Sequence, residues 1–341
     1  MKMKTAILKN KSFVITLLVS LAALIIIPLF IRREFAINVL ILCCIWGIMG
    51  IGWNFIGGYA GQVSNGHALF YAVGAYTGGL CMNWFQMTPW ISMWIGVAIS
   101  VLIAFVLGIP LLRLRGHYFA IATMALVECA RIIFLNWEWI GGATGISFQR
   151  LDLPQWYTWQ FVAKHPFYYL CLAFLVVFLV LSKIMENSKF GYYCRAIRAN
   201  QESAESTGVN AARYKRIAYM ISAGIVSIGG ALYAQYIQYL DPTVLLPLAN
   251  SMLIVLVCVM GGIGTVWGPV LGAFVMTMIN EYSRSNFARI SGLNLVIYGV
   301  LVIIIVLFLP DGLISLVKRL NPKNRFKKSA VSATSANGKE G

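Results

Sequence analysis

Of the 341 residues, 60% are hydrophobic and only 11% are charged, against about 25% charged in a soluble domain. So few polar groups cannot cover a globular surface of this size. A cytosolic enzyme, a secreted disulfide scaffold and a disordered chain are excluded, which leaves an all-α polytopic membrane protein, a helical bundle facing lipid. The net charge of +16 would suggest nucleic acid in a soluble chain, but here the basic residues belong first to a membrane topology.

Lys2, Lys4, Lys9 and Lys11 precede an uncharged stretch from Ser12 to Ile31. No A-x-A site follows it; Arg32, Arg33 and Glu34 do, so it reads as a retained first span rather than a signal peptide. Phe35 to Leu112 carries no charge and, at about 20 residues per crossing, holds three spans, placed at 35–56, 67–86 and 90–112. Further spans run from His117 to Asn136, from Pro166 to Ile184 and from Ile217 to about Tyr239. The uncharged stretch from Pro242 to Asn280 is too long for one helix. It is interrupted by GGIGTVWGP (261–269) and reads as two half-spans or a re-entrant hairpin. A last span covers 290–310, for eight or ten in all.

Basic residues set the orientation. With the N-terminus inside, the inner segments hold twenty Lys and Arg and the outer segments six. Both termini are therefore expected in the cytoplasm. Residues 1–11 form a basic N-terminal segment, 12–317 the transmembrane domain and 318–341 a basic, disordered tail. Residues 185–216 form a cytoplasmic loop and 137–165 an external one. The external loop carries Trp137, Trp139, Trp156 and Trp159, which suggests an interfacial aromatic belt lying flat on the membrane. The charge is thus a topology signal, and no nucleic-acid partner is expected. The seven cysteines lack a CxxC and His67, His117 and His165 are far apart, so no metal site is expected.

Four segments ask for more than an apolar helix. In GGYAGQVSNGH (57–67), Gly57, Gly58, Gly61 and Gly66 weaken a helix, and Gln62, Ser64, Asn65 and His67 add polar side chains. Irregular backbone at membrane depth survives against protein or water, so the segment reads either as a discontinuous helix lining a translocation path or as a cytoplasmic turn. In GGIGTVWGPVLGA (261–273), Gly261, Gly262 and Thr265 sit near Gly264, Gly268 and Gly272. The last three share one helix face if the segment is helical. Gly-Ala pairs follow both segments, Gly74-Ala75 and Gly272-Ala273, a short similarity compatible with an internal repeat or with chance. Glu128 and Arg131 stand at i, i+3 within one span and can pair; the pair reads as structural or as functional. In the cytoplasmic loop, residues 192–207 read as a helix of about four turns. There Arg198 and Glu202 pair at i, i+4, Ala204 lies on a small-residue face, Gly208 stops the helix at C′ and Asn210 caps the next span.

No GxxxxGK[ST], GxSxG or HExxH is present, so no ATP site of the P-loop kind and no catalytic residues are expected, and an intramembrane enzyme has little support.

These segments resemble the LivM-type permease subunits of branched-chain amino acid ABC importers. The resemblance is carried by GYAGQVSNGHALFYAVGAYT (58–77), LRLRGHYFAIATMALVE (112–128), RAIRANQESAESTGVNAARYK (195–215) with ALYAQY (231–236), and GGIGTVWGPVLGA (261–273), and spans about 35–315. It implies a bacterial inner-membrane importer with a second permease subunit, forming a heterodimer with this one. Two cytoplasmic ATPase subunits bind the ATP, so no cofactor sits on this chain, and a periplasmic solute-binding protein delivers substrate. The 195–215 segment resembles the family's coupling loop, with Glu202, Ala204 and Gly208 matching its pattern and Ser203 where Ala is common. Asn65 stands for a usual Leu and Ile140 for a usual Thr, and related importers carry urea, amides or other amino acids. An ion-coupled secondary transporter would need its own coupling site, for which the residues offer only Glu128 and Arg131.

The topology is checked by cysteines placed singly at Arg150 and Ala330. An impermeant maleimide should label position 150 in intact cells and position 330 only after permeabilisation; labelling of 330 from outside would reverse the orientation.

Overall fold

The computed structural model describes residues 11–30, 33–114, 116–149 and 154–286 and, beyond these, 296, 299–300, 303–304, 307–308 and 312–315. Most of the span expected at 290–310, the first ten residues and the tail from 318 lie outside the described residues. The described chain is built of helices: α1 (Lys11–Phe30), α2 (Glu34–Trp53), α3 (His67–Phe85), α4 (Pro89–Leu111), α5 (His117–Asn136), α6 (Lys164–Glu186), α7 (Lys189–Ala199), α8 (Gln201–Ser206), α9 (Ala211–Ile237), α10 (Leu248–Gly261) and α11 (Gly268–Asn286). A π-helical turn, Asn54–Tyr59, continues α2.

Local signals set several boundaries. Thr88 accepts from Trp90 N–H and Pro89 opens α4, a start that uses a side-chain cap and a residue with no donor to lose. Asn210 Oδ1 accepts from Arg213 N–H at 3.0 Å and starts α9, six residues earlier than the hydropathy suggests. The stretch from Pro242 divides: a one-turn helix (Pro242–Leu245), then α10, a turn and α11. The stretch is thus two helices, α10 and α11, packed on each other across a turn, and α11, at 19 residues, is of crossing length rather than a half-span.

Six helical stretches are long and apolar enough to cross a membrane, so the chain is a multi-pass membrane protein. Two of them are central. The Glu34–Tyr59 and Ala211–Ile237 stretches are 72% and 78% buried, whereas Pro89–Leu111 and His117–Asn136 are 28% and 22% buried. Accordingly α2 touches α6, α9, α10 and α11, and α9 touches α2, α3 and α4. Leu102, Val106, Ile121 and Ile133 on α4 and α5 point outward.

Contacts sort the loops into two ends of the bundle. At one end Lys164 pairs with Glu34 at 3.2 Å, Asn83 donates to Ser147 O, and strands β1 (Ile146–Ser147) and β2 (Tyr239–Leu240) pair antiparallel, Ile146 opposite Leu240. Trp137, Trp139 and Trp156 are exposed there, but Trp159 is 1% exposed. It stacks edge-on with Trp90 at 4.8 Å and meets Phe174, so it belongs to the core rather than to an aromatic belt. The loops of the opposite end are those at 58–62, 116, 197–202 and 262–265.

α3 and α9 are among the helices in closest contact within the described residues. A Cβ at Gly74 would stand 2.0 Å from Ser227 O, and one at Gly230 2.1 Å from Tyr71 O, so the two backbones touch where these glycines face each other. At Gly78 an added Cβ meets only Ala231 Cβ, at 4.0 Å. Gly74→Ala and Gly230→Ala should each destabilise the detergent-purified protein by about 1–3 kcal/mol through overpacking, seen as a lower thermal midpoint, while Gly78→Ala should leave it unchanged.

Candidate functional site

The two glycine-rich segments meet at one end of the bundle. Gly57 and Gly58 are not the break itself: they lie inside the π-helical turn and are buried. The chain leaves the helix at Ala60, turns at Gly61 (φ +72°) and runs without regular structure to Gly66. In the second segment Gly261 ends α10, Gly262 to Trp267 form the turn and Gly268 opens α11. Gly264 (φ +77°) is therefore a turn residue and does not share a helix face with Gly268 and Gly272. Thr265 closes this turn: its hydroxyl donates to Gly262 O at 2.7 Å and accepts from Gly268 N–H at 3.1 Å.

Asn54, fully buried, ties the segments together. Its Oδ1 accepts from Gly264 N–H at 2.8 Å and from the Cys258 thiol at 3.3 Å, and its Nδ2 donates to Thr265 O at 2.9 Å. From α7, Arg198 reaches into the same place and its Nη1 donates to Gly58 O. A Cβ at Gly264 would stand 2.4 Å from Arg198 Nη1, and one at Gly61 2.8 Å from Arg198 Cγ. The guanidinium thus lies in a cradle of glycine backbone that joins the loop segment to both breaks.

The helix expected at 192–207 is two helices. Asn200 adopts extended backbone (φ −158°, ψ 112°) and its side chain caps α8 by accepting from Ser203 N–H. Arg198 and Glu202 therefore do not lie one turn apart on a continuous helix, and Arg198 is turned to Gly58. Ala204 is buried with Ile197 and Ala211, so it holds α8 against α7 rather than facing outward. Burial pushes the neighbouring Cys194 thiol up to about 12, which keeps it a neutral packing group. The outward side of this corner is Glu202, Ser203, Glu205, Ser206, Thr207 and Gly208. Gly208 has φ +88° with open space around it, and its N–H donates to Glu205 O at 2.9 Å, as a helix-stopping residue does.

Deeper in the bundle, the irregular 61–66 backbone is held by side chains. Trp53 Nε1 donates to Ser64 O at 2.7 Å and Asn65 N–H donates to Thr123 Oγ1 at 3.0 Å. His67, fully buried, shares a 2.7 Å hydrogen bond with Ser222, and Ala68 N–H donates to Ser251 Oγ at 2.9 Å. Gln62 lies instead at the mouth, in a cavity of about 310 Å³ with Gly61, Arg198, Gln201, Glu202 and Lys215. Glu128 and Arg131 do pair, Arg131 Nε donating to Glu128 Oε1 at 2.9 Å. Their side chains are 50% and 33% exposed, on the outward face of α5. No group able to hold a metal ion occurs among the described residues.

Asn54 is absent from the candidates read out of the sequence, because a single Asn inside an apolar run carries no motif. Glu281, 8% exposed on α11, is another buried polar residue absent from those candidates.

A family model described as the branched-chain amino acid transport system / permease component matches residues 35–306. The chain belongs to this permease family. It is 29% identical over 351 aligned residues to the high-affinity branched-chain amino acid transport system permease protein LivM of Escherichia coli K12, covering 96% of this chain and 80% of that protein. To the permease protein LivH of the same organism it is 21% identical, over 79% of this chain and 91% of LivH. A probable LivM of Methanocaldococcus jannaschii is 24% identical, covering 64% and 67%. No solved structure matches.

Two substitutions separate strain from contact in this permease. Gly208→Ala meets only the unfavourable backbone conformation, about 1–2 kcal/mol. Gly264→Ala meets the same strain and also displaces Arg198. Unfolding midpoints should fall for both and further for Gly264→Ala; an equal fall would mean that the Arg198 contact contributes nothing. Asn54→Ala strands two partly buried backbone groups, Gly264 N–H and Thr265 O, and should cost about 1–3 kcal/mol.

Proposed function

We propose that the permease is the LivM-type membrane subunit of an ABC importer that moves branched-chain amino acids across the bacterial inner membrane. It works beside a second, LivH-like permease subunit. ATP is bound and hydrolysed by two cytoplasmic ATPase subunits, and a periplasmic binding protein supplies the amino acid. Both termini and the 185–216 loop lie in the cytoplasm, and 137–165 faces the periplasm. The glycine-rich breaks form the movable part of the path.

The observation that carries this reading is Arg198. A chain that has no phosphate-binding loop of its own must receive the energy of ATP mechanically, through a cytoplasmic surface linked to its membrane segments. The α7–α8 corner presents Glu202, Ser203, Glu205 and Gly208 outward, and from its other side Arg198 holds Gly58 and abuts Gly61 and Gly264. A displacement of the corner is transmitted to both breaks in one step. Rigid elements with tight contacts pass on such shifts, whereas a loop held by solvent would absorb them.

The test uses the reconstituted complex with its binding protein. Gly208→Pro removes the N–H donated to Glu205 O and imposes a negative φ, and Glu202→Lys reverses a charge on the outward side. Arg198→Ala empties the glycine cradle. Each variant should insert and assemble, and each should lose most of the ATPase stimulation by loaded binding protein, with uptake of leucine falling in parallel. Wild-type stimulation and uptake in all three would show that the corner is not where energy enters.

A further inference from the structure

The pair Glu128–Arg131 sits where a structural ion pair has little reason to be. Glu128 lies eight residues before the end of α5 at Asn136, about 12 Å along the helix, and both side chains point away from the bundle that contains them. Ionisable groups at such depth face protein or water rather than lipid tails. The same face of α5 continues inward through Ala125 and Ile121, both exposed, to a cavity of about 450 Å³. That cavity lies between Ala120, Ile121 and Met124 on one side and Gln62, Val63 and Asn65 of the broken segment on the other. A strip, polar at Gln62 and Asn65 and apolar at Val63, Ile121 and Ala125, therefore runs from the end of the bundle that carries Arg198 along the break and up α5 to the pair.

The pair is also only half used. Both Arg131 contacts, from Nε and Nη2, go to the one oxygen Oε1 of Glu128. Among the described residues no hydrogen bond is made by Glu128 Oε2 or Arg131 Nη1. A carboxylate oxygen able to accept from an ammonium group thus lies beside a guanidinium N–H able to donate to a carboxylate.

We propose that Glu128 and Arg131 form a passage station for the zwitterionic backbone of a free α-amino acid, on the wall of a water-filled path made by this face of α5 and the 61–65 segment. Glu128 receives the α-ammonium and Arg131 the α-carboxylate, while the side chain of the amino acid lies toward Ala125 and Ile121. No proton or bond changes hands. Each charge of the pair already has a partner, so the amino acid is held weakly and leaves again, as transit requires. The inference rests on the reading of the chain as an amino-acid importer and adds the residues that meet the cargo.

The experiment is leucine uptake into proteoliposomes holding the full complex, measured together with ATP hydrolysis, for wild type, Glu128→Gln, Arg131→Gln and the double variant Glu128→Gln/Arg131→Gln. Expected is normal assembly and ATPase stimulation by loaded binding protein, with leucine moved per ATP falling about tenfold in each single variant, the loss of roughly one charge-assisted contact. The double variant should stay as low. A purely structural pair behaves differently, because removing both charges together restores what a single stranded charge disturbs; recovery in the double variant, or undiminished uptake in the single ones, overturns the proposal. A second readout concerns water. Ala125→Cys in a Cys129→Ser background should react with a charged, impermeant thiosulfonate, and protection of that thiol from the reagent in the turning-over complex overturns a water-filled path. If the wild-type complex itself moves no amino acid, the amino-acid-import reading fails, and with it any zwitterion station.

Discussion

Backbone that leaves a helix inside a membrane protein must find its partners in the protein or in water that reaches it. Here that constraint falls on two segments at once, the chain after Tyr59 and the turn after Gly261, and Asn54 and Arg198 answer it. Asn54 pairs with Gly264 and Thr265 through both ends of its amide, and Arg198 takes Gly58 O. The remaining features of this end of the molecule follow. Gly61 and Gly264 have no side chain because Arg198 occupies the space, and α7 cannot shift without disturbing a carbonyl of α2 and the turn between α10 and α11. The α7–α8 corner is thereby joined to the two irregular segments by a few short contacts.

The helices around this junction divide by what they face. α2 and α9 are buried along most of their length and are contacted on several sides, so they form the frame on which the breaks are fixed. Glycine lets α3 approach α9 until their backbones touch at Gly74 and Gly230. Without a hydrophobic force between helices in lipid, such close packing is what holds them. α3 and α11 are of crossing length yet are not among the six most apolar stretches. Their glycine and polar content suits helices that face protein. α4 and α5 are mostly exposed, and on α5 that exposure includes an ion pair, which distinguishes its surface from the uniformly apolar one of α4.

Much of the fold was legible because hydropathy, charge and caps are local. The spans read at 117–136, 67–86 and 90–112 lie within a residue of α5, α3 and α4, since uncharged stretches end where Arg, Asn or Pro makes crossing costly. Asn210 and Gly208 were legible for the same reason: a cap and a stop are chemistry between neighbours, and both are present. The 192–207 segment shows the limit. Its composition favours one helix, but Asn200 leaves the helical region so that Ala204 can be buried on Ile197 and Arg198 can reach Gly58.

The sequence by itself thus determined a multi-pass helical membrane protein, the boundaries of most spans, the glycine-rich interruptions and the Glu128–Arg131 pair, because each depends on composition or on residues within a few positions of one another. The tertiary structure alone decided that Asn54 binds a turn 210 residues away, that Arg198 bonds a carbonyl 140 residues away, that Trp159 is core and that the ion pair faces outward. Those outcomes depend on which helices become neighbours. Helix neighbours in a bundle are chosen by shape and by the need of interrupted backbone for partners, neither of which leaves a periodic mark on the chain.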